Sequence, residues 1–291
     1  MQIPGFWRSS LDPERVVNVS VTHWQGNEQQ QREDHLTVEE PFEIRIGDQS
    51  LAVIMRTPGN DTELAMGFLY TEGIISRADE VITIESATDT DGLPLPNVVN
   101  VLLSKNRKQE AFKAQQAAFE RHFAISSSCG LCGKDSIGRL MTSTMPLEFD
   151  GVSIPTSYLY DLPHRLRQAQ AVFTHTGGLH AAGLFSYSGD LVLLREDIGR
   201  HNAVDKIIGH GLLHGYVENL QANAMRYILM VSGRTSFEII QKALLARIPC
   251  IAAISAPSSL AVELAEQSGI TLIGFLRDRA MNIYTHPERI V

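Results

Sequence analysis

The chain has 291 residues, 44% of them hydrophobic and 20% charged, a composition that fits a folded globular protein and argues against a disordered or membrane-embedded one. Its 33 acidic residues outnumber 25 basic ones, a formal net charge of −8, which opposes non-specific binding to nucleic acid or anionic membrane. No apolar run approaches the about 18 residues of a membrane span, the start MQIPGFWRSSLDPER lacks a secretory pattern, and three cysteines are too few for a disulfide scaffold, so a reducing cytoplasmic setting is expected.

Residues 1–37 are polar, with the run Asn27 to Asp34, and read as a loose peripheral segment with one early strand at Val16–Val21. Apolar alternation in Phe42–Ile46 and Leu51–Met55, across Gly47-Asp48-Gln49, predicts a β-hairpin. Leu64, Ala65, Phe68 and Leu69 form one stripe of a helix over Thr62–Glu72 that Gly73 closes. Strands near Val81–Glu85 and Val98–Leu103 flank the loop Thr88–Pro96, and Arg107–His122 is helical by composition. The second half opens with a helix around Thr156–Gln170, a strand over Gly178–Phe185, a turn at Ser188-Gly189-Asp190 and a return strand at Leu191–Leu194. Val204, Ile207, Ile208 and Leu212 then mark a helix from His201 to Leu213, on which Asp205 and Lys206 read as a solvated face. Finally strand and helix alternate over Tyr227–Val231, Thr235–Arg247, Cys250–Ile254, Ser259–Ser268 and Thr271–Phe275, two βαβ units and hence a parallel sheet. The class is α/β, divided as a loose 1–37, an α+β region over 38–150 and an α/β domain over 151–291.

Two sites stand out. In Ser126-Ser127-Ser128-Cys129-Gly130-Leu131-Cys132-Gly133, two thiols three residues apart sit among glycines, which predicts a mobile loop. Such a pair can share a metal, form a disulfide or carry a transferable group. A structural zinc site needs a second Cys or His pair, and the remaining Cys250 opens an apolar strand, where a lone cysteine is a small buried hydrophobe. A thioredoxin-like pair belongs within a βαβ unit, whereas this one precedes that region. A nucleophilic thiol on a swinging loop remains, and it wants a cationic neighbour such as Lys134.

The second site lies at the carboxyl ends of the last three strands, where ligands collect on parallel sheets. Ser232-Gly233-Arg234-Thr235-Ser236, Ser255 to Ser259, and Phe275 to Ala280 follow those strands. Thr235 with Glu238 fits a capping box. Ser232, Ser236 and Ser258, with Arg234, Arg277 and Arg279, supply the hydroxyls and charges of a phosphate site. His180 and His201 lie in two further clusters, His175–Ala182 and Arg195–Asn202, that join polar residues and glycine to apolar runs.

Ser128-Cys129-Gly-Leu-Cys132-Gly, His175–Leu184, Glu196-Asp197-Ile-Gly-Arg200-His201-Asn-Ala-Val-Asp205-Lys206, Ser232-Gly-Arg-Thr-Ser236 and Tyr284-Thr-His-Pro-Glu-Arg289 together resemble the FdhD family, accessory sulfurtransferases for formate dehydrogenase. The likeness runs from about residue 38 to the C-terminus. It implies a carrier that takes sulfur from a cysteine desulfurase as a persulfide on Cys129, with Cys132 beside it. The sulfur then passes to the bis-molybdopterin guanine dinucleotide cofactor of the formate dehydrogenase catalytic subunit. The resemblance also implies cofactor binding along Phe275, Leu276, Arg277, Asp278, Arg279 and Ala280, GDP as a partial mimic of that cofactor, a cytidine-deaminase-like fold for the second domain, and a homodimer. The family usually carries a glycine in the final turn, where this chain has Asp278, a carboxylate that opposes close approach of a phosphate. Three other readings stay open: a thiol-disulfide oxidoreductase, a zinc-dependent deaminase-like hydrolase and a non-enzymatic metal-binding chaperone. Zinc hydrolysis needs H-x-E and P-C-x-x-C, and the nearest strings, His180-Ala181-Ala182 and Pro249-Cys250-Ile251-Ala252-Ala253, lack the Glu and the second Cys.

Overall fold

A computed structural model describes residues 6–8, 14–47, 49–104, 145–149, 151–215 and 227–291. The cysteine loop with Cys129 and Cys132, its neighbour Lys134 and the helix expected over Arg107–His122 lie outside the described residues.

The first sheet contains the strand expected at Val16–Val21 and corrects the reading of the polar run after it as loose. Phe6–Arg8 (β1) pairs with Val16–Gln25 (β2), and β2 pairs with Glu28–Thr37 (β3) in an antiparallel ribbon whose register runs from Val16↔Thr37 to Gln25↔Glu28. Gly26 makes the turn at φ 63, a conformation glycine adopts freely. The polar run gives no strand signal because strand-forming backbone pairs carry no hydrophobic signature when both faces meet water. The ribbon is peripheral, with most of β3 exposed, and is anchored where Val38 N–H donates to Arg15 O at 2.8 Å and Thr37 Oγ1 donates to Thr176 Oγ1 at 2.8 Å.

Glu40–Ile46 (β4) and Gln49–Arg56 (β5) form the expected hairpin, followed by helix α1 (Asp61–Thr71) and the strands Val81–Thr88 (β6) and Pro94–Leu103 (β7). These four strands make a sheet in the order β5-β4-β7-β6. Then come α2 (Thr156–Ala169), α3 (Ala171–Thr176), β8 (His180–Ser186), β9 (Leu191–Asp197), α4 (Arg200–Leu213) and β10 (Tyr227–Val231). The chain ends with α5 (Phe237–Leu245), β11 (Cys250–Ala253), α6 (Ser259–Ser268), β12 (Thr271–Arg277) and β13 (Ala280–Thr285).

The large sheet runs β13-β12-β11-β10-β8-β9. Its three central strands, β10, β11 and β12, are mutually parallel, as two successive βαβ units require. The sheet as a whole is mixed, because β8, β9 and β13 each join antiparallel through hairpins or across the sheet. The closing β12–β13 hairpin was not expected from sequence, since its alternation spans only a few residues past the turn.

One hydrophobic core contains Ile44 and Val101 of the small sheet, Leu64 and Leu69 of α1, Val204 and Ile208 of α4, Ile240 of α5, and Ala182, Leu229 and Ile251 of the large sheet. Each large aliphatic side chain buried there contributes about 1.5–3 kcal/mol. The other face of the large sheet packs on Leu159, Leu162 and Leu166 of α2. The large sheet is therefore covered on both sides, and its strand ends are left as the open polar edge. Among the described residues, no helix is long and apolar enough to cross a membrane.

Candidate functional site

Three loops at the carboxyl ends of β10, β11 and β12 are hydrogen-bonded side by side. Thr235 N–H donates to Ala256 O at 3.2 Å, Ser258 N–H to Thr235 O at 3.0 Å, and Phe275 N–H to Ser255 O at 3.2 Å. The edge foreseen from sequence is thus one continuous surface. Within it the hydroxyls have separate tasks. Ser232 Oγ accepts from Ala181 N–H at 2.9 Å while Ser232 N–H donates to Ala181 O at 3.0 Å, stitching β10 to β8. Ser258 is the N-cap of α6 and accepts from Ala261 N–H at 3.2 Å. Ser236 Oγ lies 3.1 Å from His201 Nε2, which is also 3.9 Å from Glu238 Oε2.

The capping box expected of Thr235 and Glu238 does not form. Helix α5 starts later, with Ser236 at its N-cap and no side-chain cap bond, so Thr235 falls before the helix and its Oγ1 is buried without a partner.

The stretch Phe275–Ala280 divides by burial. Leu276 is fully buried on the α2 side of the sheet, whereas Phe275, Arg277, Asp278, Arg279 and Ala280 are exposed. Arg277 pairs with Ala280 around the two-residue turn Asp278-Arg279, both at positive φ, 51 and 59. A turn of this kind favours Asn, Asp or Gly, so Asp278 suits its place by conformation and Arg279 does not. The Arg279 guanidinium sits 5.9 Å from the Tyr160 ring of α2, and Arg234 is exposed.

His180 and His201 come together with Arg200 at the start of α4. Burial, then the charge of Arg200, lowers the pKa of His180. The same two causes, in that order, push His201 down to about 4. Both rings are therefore neutral at pH 7. The His201 ring should titrate near pH 4 in an NMR experiment, and a midpoint at the ordinary value of about 6.5 would contradict its burial. Since the unfolded chain takes up that proton first, the His201 contribution to stability should fall as pH drops from about 6.5 toward 4.

The reading of Asp205 and Lys206 as a solvated face is wrong: they are 2% and 0% exposed. Lys206 Nζ donates to Thr57 O at 2.9 Å and meets Asp197 Oδ2 at 2.8 Å. Asp197 also accepts from Gly199 N–H at 2.8 Å and Asn202 Nδ2 at 2.9 Å. Asp205 pairs with Lys242 of α5, which donates to both carboxylate oxygens at 2.9 Å. Glu196 accepts from the amides of Phe173 and Val172 at 2.9 and 3.1 Å at the start of α3. The segment Glu196–Lys206 is thus a frame that fixes Arg200 and His201. Arg200 and Thr235 both lie within segments that stand out in the sequence, although neither is marked there as a ligand-binding residue.

Cys250 is fully enclosed, and burial pushes its thiol up to about 12, which keeps it protonated and inert. A cleft of about 810 Å³ elsewhere is lined by Glu14, Glu40, Asp61 and Glu63 around the buried Arg56, a lining that repels anions.

The model of the FdhD/NarQ family matches residues 37–291, which leaves nearly all of the β2–β3 ribbon outside it. A sulfur carrier protein FdhD from Nocardia farcinica is 48% identical over 262 residues, 89% of this chain and 89% of that protein. Another, from Sulfurisphaera tokodaii, is 42% identical over 280 residues, 95% of this chain and 100% of that protein. A crystal structure described as a formate dehydrogenase accessory protein from Desulfotalea psychrophila shares the fold, with a TM-score of 0.71 at 24% identity over 95% of this chain and 100% of that one.

Proposed function

Because the chain belongs to the FdhD/NarQ family, we propose that it is a sulfur carrier in the formate dehydrogenase system, with Cys129 as the carrying thiol. The observation that carries this reading is the family match across the whole of 37–291, which includes the Cys129-Gly-Leu-Cys132 loop. In loading, the Cys129 thiolate attacks the terminal sulfur of a desulfurase persulfide. A sulfur–sulfur bond forms on Cys129, the donor's own bond breaks, and the donor cysteine leaves as thiolate. The carried sulfur then goes to the bis-molybdopterin guanine dinucleotide cofactor, the substrate of the delivery step, destined for the formate dehydrogenase catalytic subunit. The neutral histidines, hydroxyls and arginines at the strand ends support an anionic ligand of that kind, and GDP would occupy part of the same edge. The reading further takes the protein as a cytoplasmic homodimer.

Incubation with a desulfurase and cysteine, followed by intact-mass measurement, tests the assignment. A gain of one sulfur atom is expected and should be absent in Cys129→Ala. Loading that survives in Cys129→Ala but is lost in Cys132→Ala would move the role to the second thiol. No gain in the unmodified chain would remove the carrier reading.

A further inference from the structure

We infer that Arg200 is the seat of a multiply charged oxyanion of the ligand, held beside His180 and over the bare backbone of Gly233. The inference rests on the reading of the strand-end edge as the place where an anionic ligand docks, and it names the group that meets the charge.

Arg200 is half-buried, and its Nε is enclosed without a hydrogen-bond partner. No carboxylate among the described residues pairs with it, because those adjacent in sequence are engaged elsewhere: Glu196 with the amides of α3, Asp197 with Lys206, Asn202 and Gly199. Glu238 approaches His201 instead, at 3.9 Å. A cation partly withdrawn from water without a counter-charge is unfavourable, and an incoming anion would offset that penalty.

Gly233 marks the same spot, and a second unsatisfied polar group lies in the same loop. A Cβ on Gly233 would come 3.2 Å from His180 Nδ1, 3.3 Å from His180 Cε1 and 3.7 Å from Arg200 Cδ, so a methyl there would press the His180 ring aside and cover the backbone between the two side chains. Two residues on, Thr235 is 1% exposed and its hydroxyl has no partner, in a protein interior where such groups are normally satisfied. The half-buried guanidinium of Arg200 and a neutral imidazole N–H are donors suited to oxyanions. Arg277 and Arg279, by contrast, project from an exposed turn, where water screens their charge.

A diphosphate and a molybdenum-oxo group are the two sources of such an oxyanion on the proposed ligand, so inorganic phosphate and molybdate serve as separate probes. In calorimetric titrations the full chain should bind at least one of them saturably, and the tighter one identifies the source. Losing a charge-assisted hydrogen bond should make Arg200→Gln about tenfold weaker or worse. Gly233→Ala should also weaken binding while Arg200 remains, which keeps the test decisive if Arg200→Gln does not fold. Arg77→Gln, at a side chain 67% exposed and paired with Asp79, should bind as the unmodified chain does. Saturable binding by neither anion, affinity in a folded Arg200→Gln within about threefold of the original, or equal loss in Arg77→Gln would overturn the seat. Persulfide loading is measured on the same preparation: loading without anion binding sinks only the seat, and binding without loading sinks only the carrier reading.

Discussion

Gly67→Ala and Gly209→Ala should each destabilise the protein by about 3 kcal/mol, against the gain of up to about 1 kcal/mol that alanine brings to an ordinary helix interior. The two glycines stand where α1 crosses α4. A Cβ on Gly67 would overlap the carbonyl oxygen of Asp205, and one on Gly209 would overlap that of Glu63 and come 2.8 Å from Gly67 N. Backbone rather than a flexible side chain is in the way, so the helices themselves must separate. Leu64, Ala65, Val204 and Ile208 pack around the crossing, and all four are essentially inaccessible, so separation opens voids as well as relieving overlap. Urea unfolding of each variant is the measurement. A midpoint equal to or above that of the unmodified chain would mean that the crossing is looser than its geometry implies. Because Arg200 and His201 are the first residues of α4, the same variants should also weaken anion binding.

Much of the second half was legible because its signals are local. The 3.6-residue spacing of Val204, Ile207, Ile208 and Leu212 identifies α4 without reference to anything else. Apolar runs punctuated by Ser, Gly and Pro likewise set out β10 through β12 and place the polar loops at one edge. What escaped was whatever depends on partners distant in sequence. Asp205 and Lys206 look solvated because charged residues usually are, yet their partners are Lys242 and Thr71 in one case and Asp197 and Thr57 in the other. One clue was present: α4 is buried on nearly every side from Asn202 to Gly209, and a helix enclosed in that way must pair its charges internally. Thr235 was misassigned by a single position, because a capping pattern fits equally well one residue early. Arg200 was overlooked for a related reason, since an arginine's lack of a partner cannot be read from a string of letters.

The largest single loss of stability is expected from Lys242→Met. Lys242 is 6% exposed and donates to Thr71 Oγ1 at 2.8 Å and to both oxygens of Asp205 at 2.9 Å, while Thr71 Oγ1 donates to Asp205 Oδ1 at 2.9 Å. Removing the ammonium leaves a carboxylate 2% exposed with one hydroxyl for company, and breaking a buried pair in this way costs about 3–5 kcal/mol. An exposed pair such as Arg77–Asp79, at 67% and 63% exposure, should lose less than about 1 kcal/mol on the equivalent change. The pH dependence follows from the carboxylate. Burial already raises the Asp205 pKa, and Lys242 is the main influence lowering it, so the variant should raise it further. A carboxylate whose folded pKa exceeds its unfolded one gives its full stability below the unfolded value, about 3.9, and loses it as pH rises through the folded one. The deficit of Lys242→Met should therefore be small near pH 4 and grow toward pH 8. Asp205→Asn in the same chain should recover most of the loss at neutral pH, since no unpaired charge then remains buried. Urea midpoints for the single and double variants across that range decide the matter: a deficit independent of pH, or one the second substitution leaves untouched, would show that Lys242 acts through packing alone and that its charge contributes nothing.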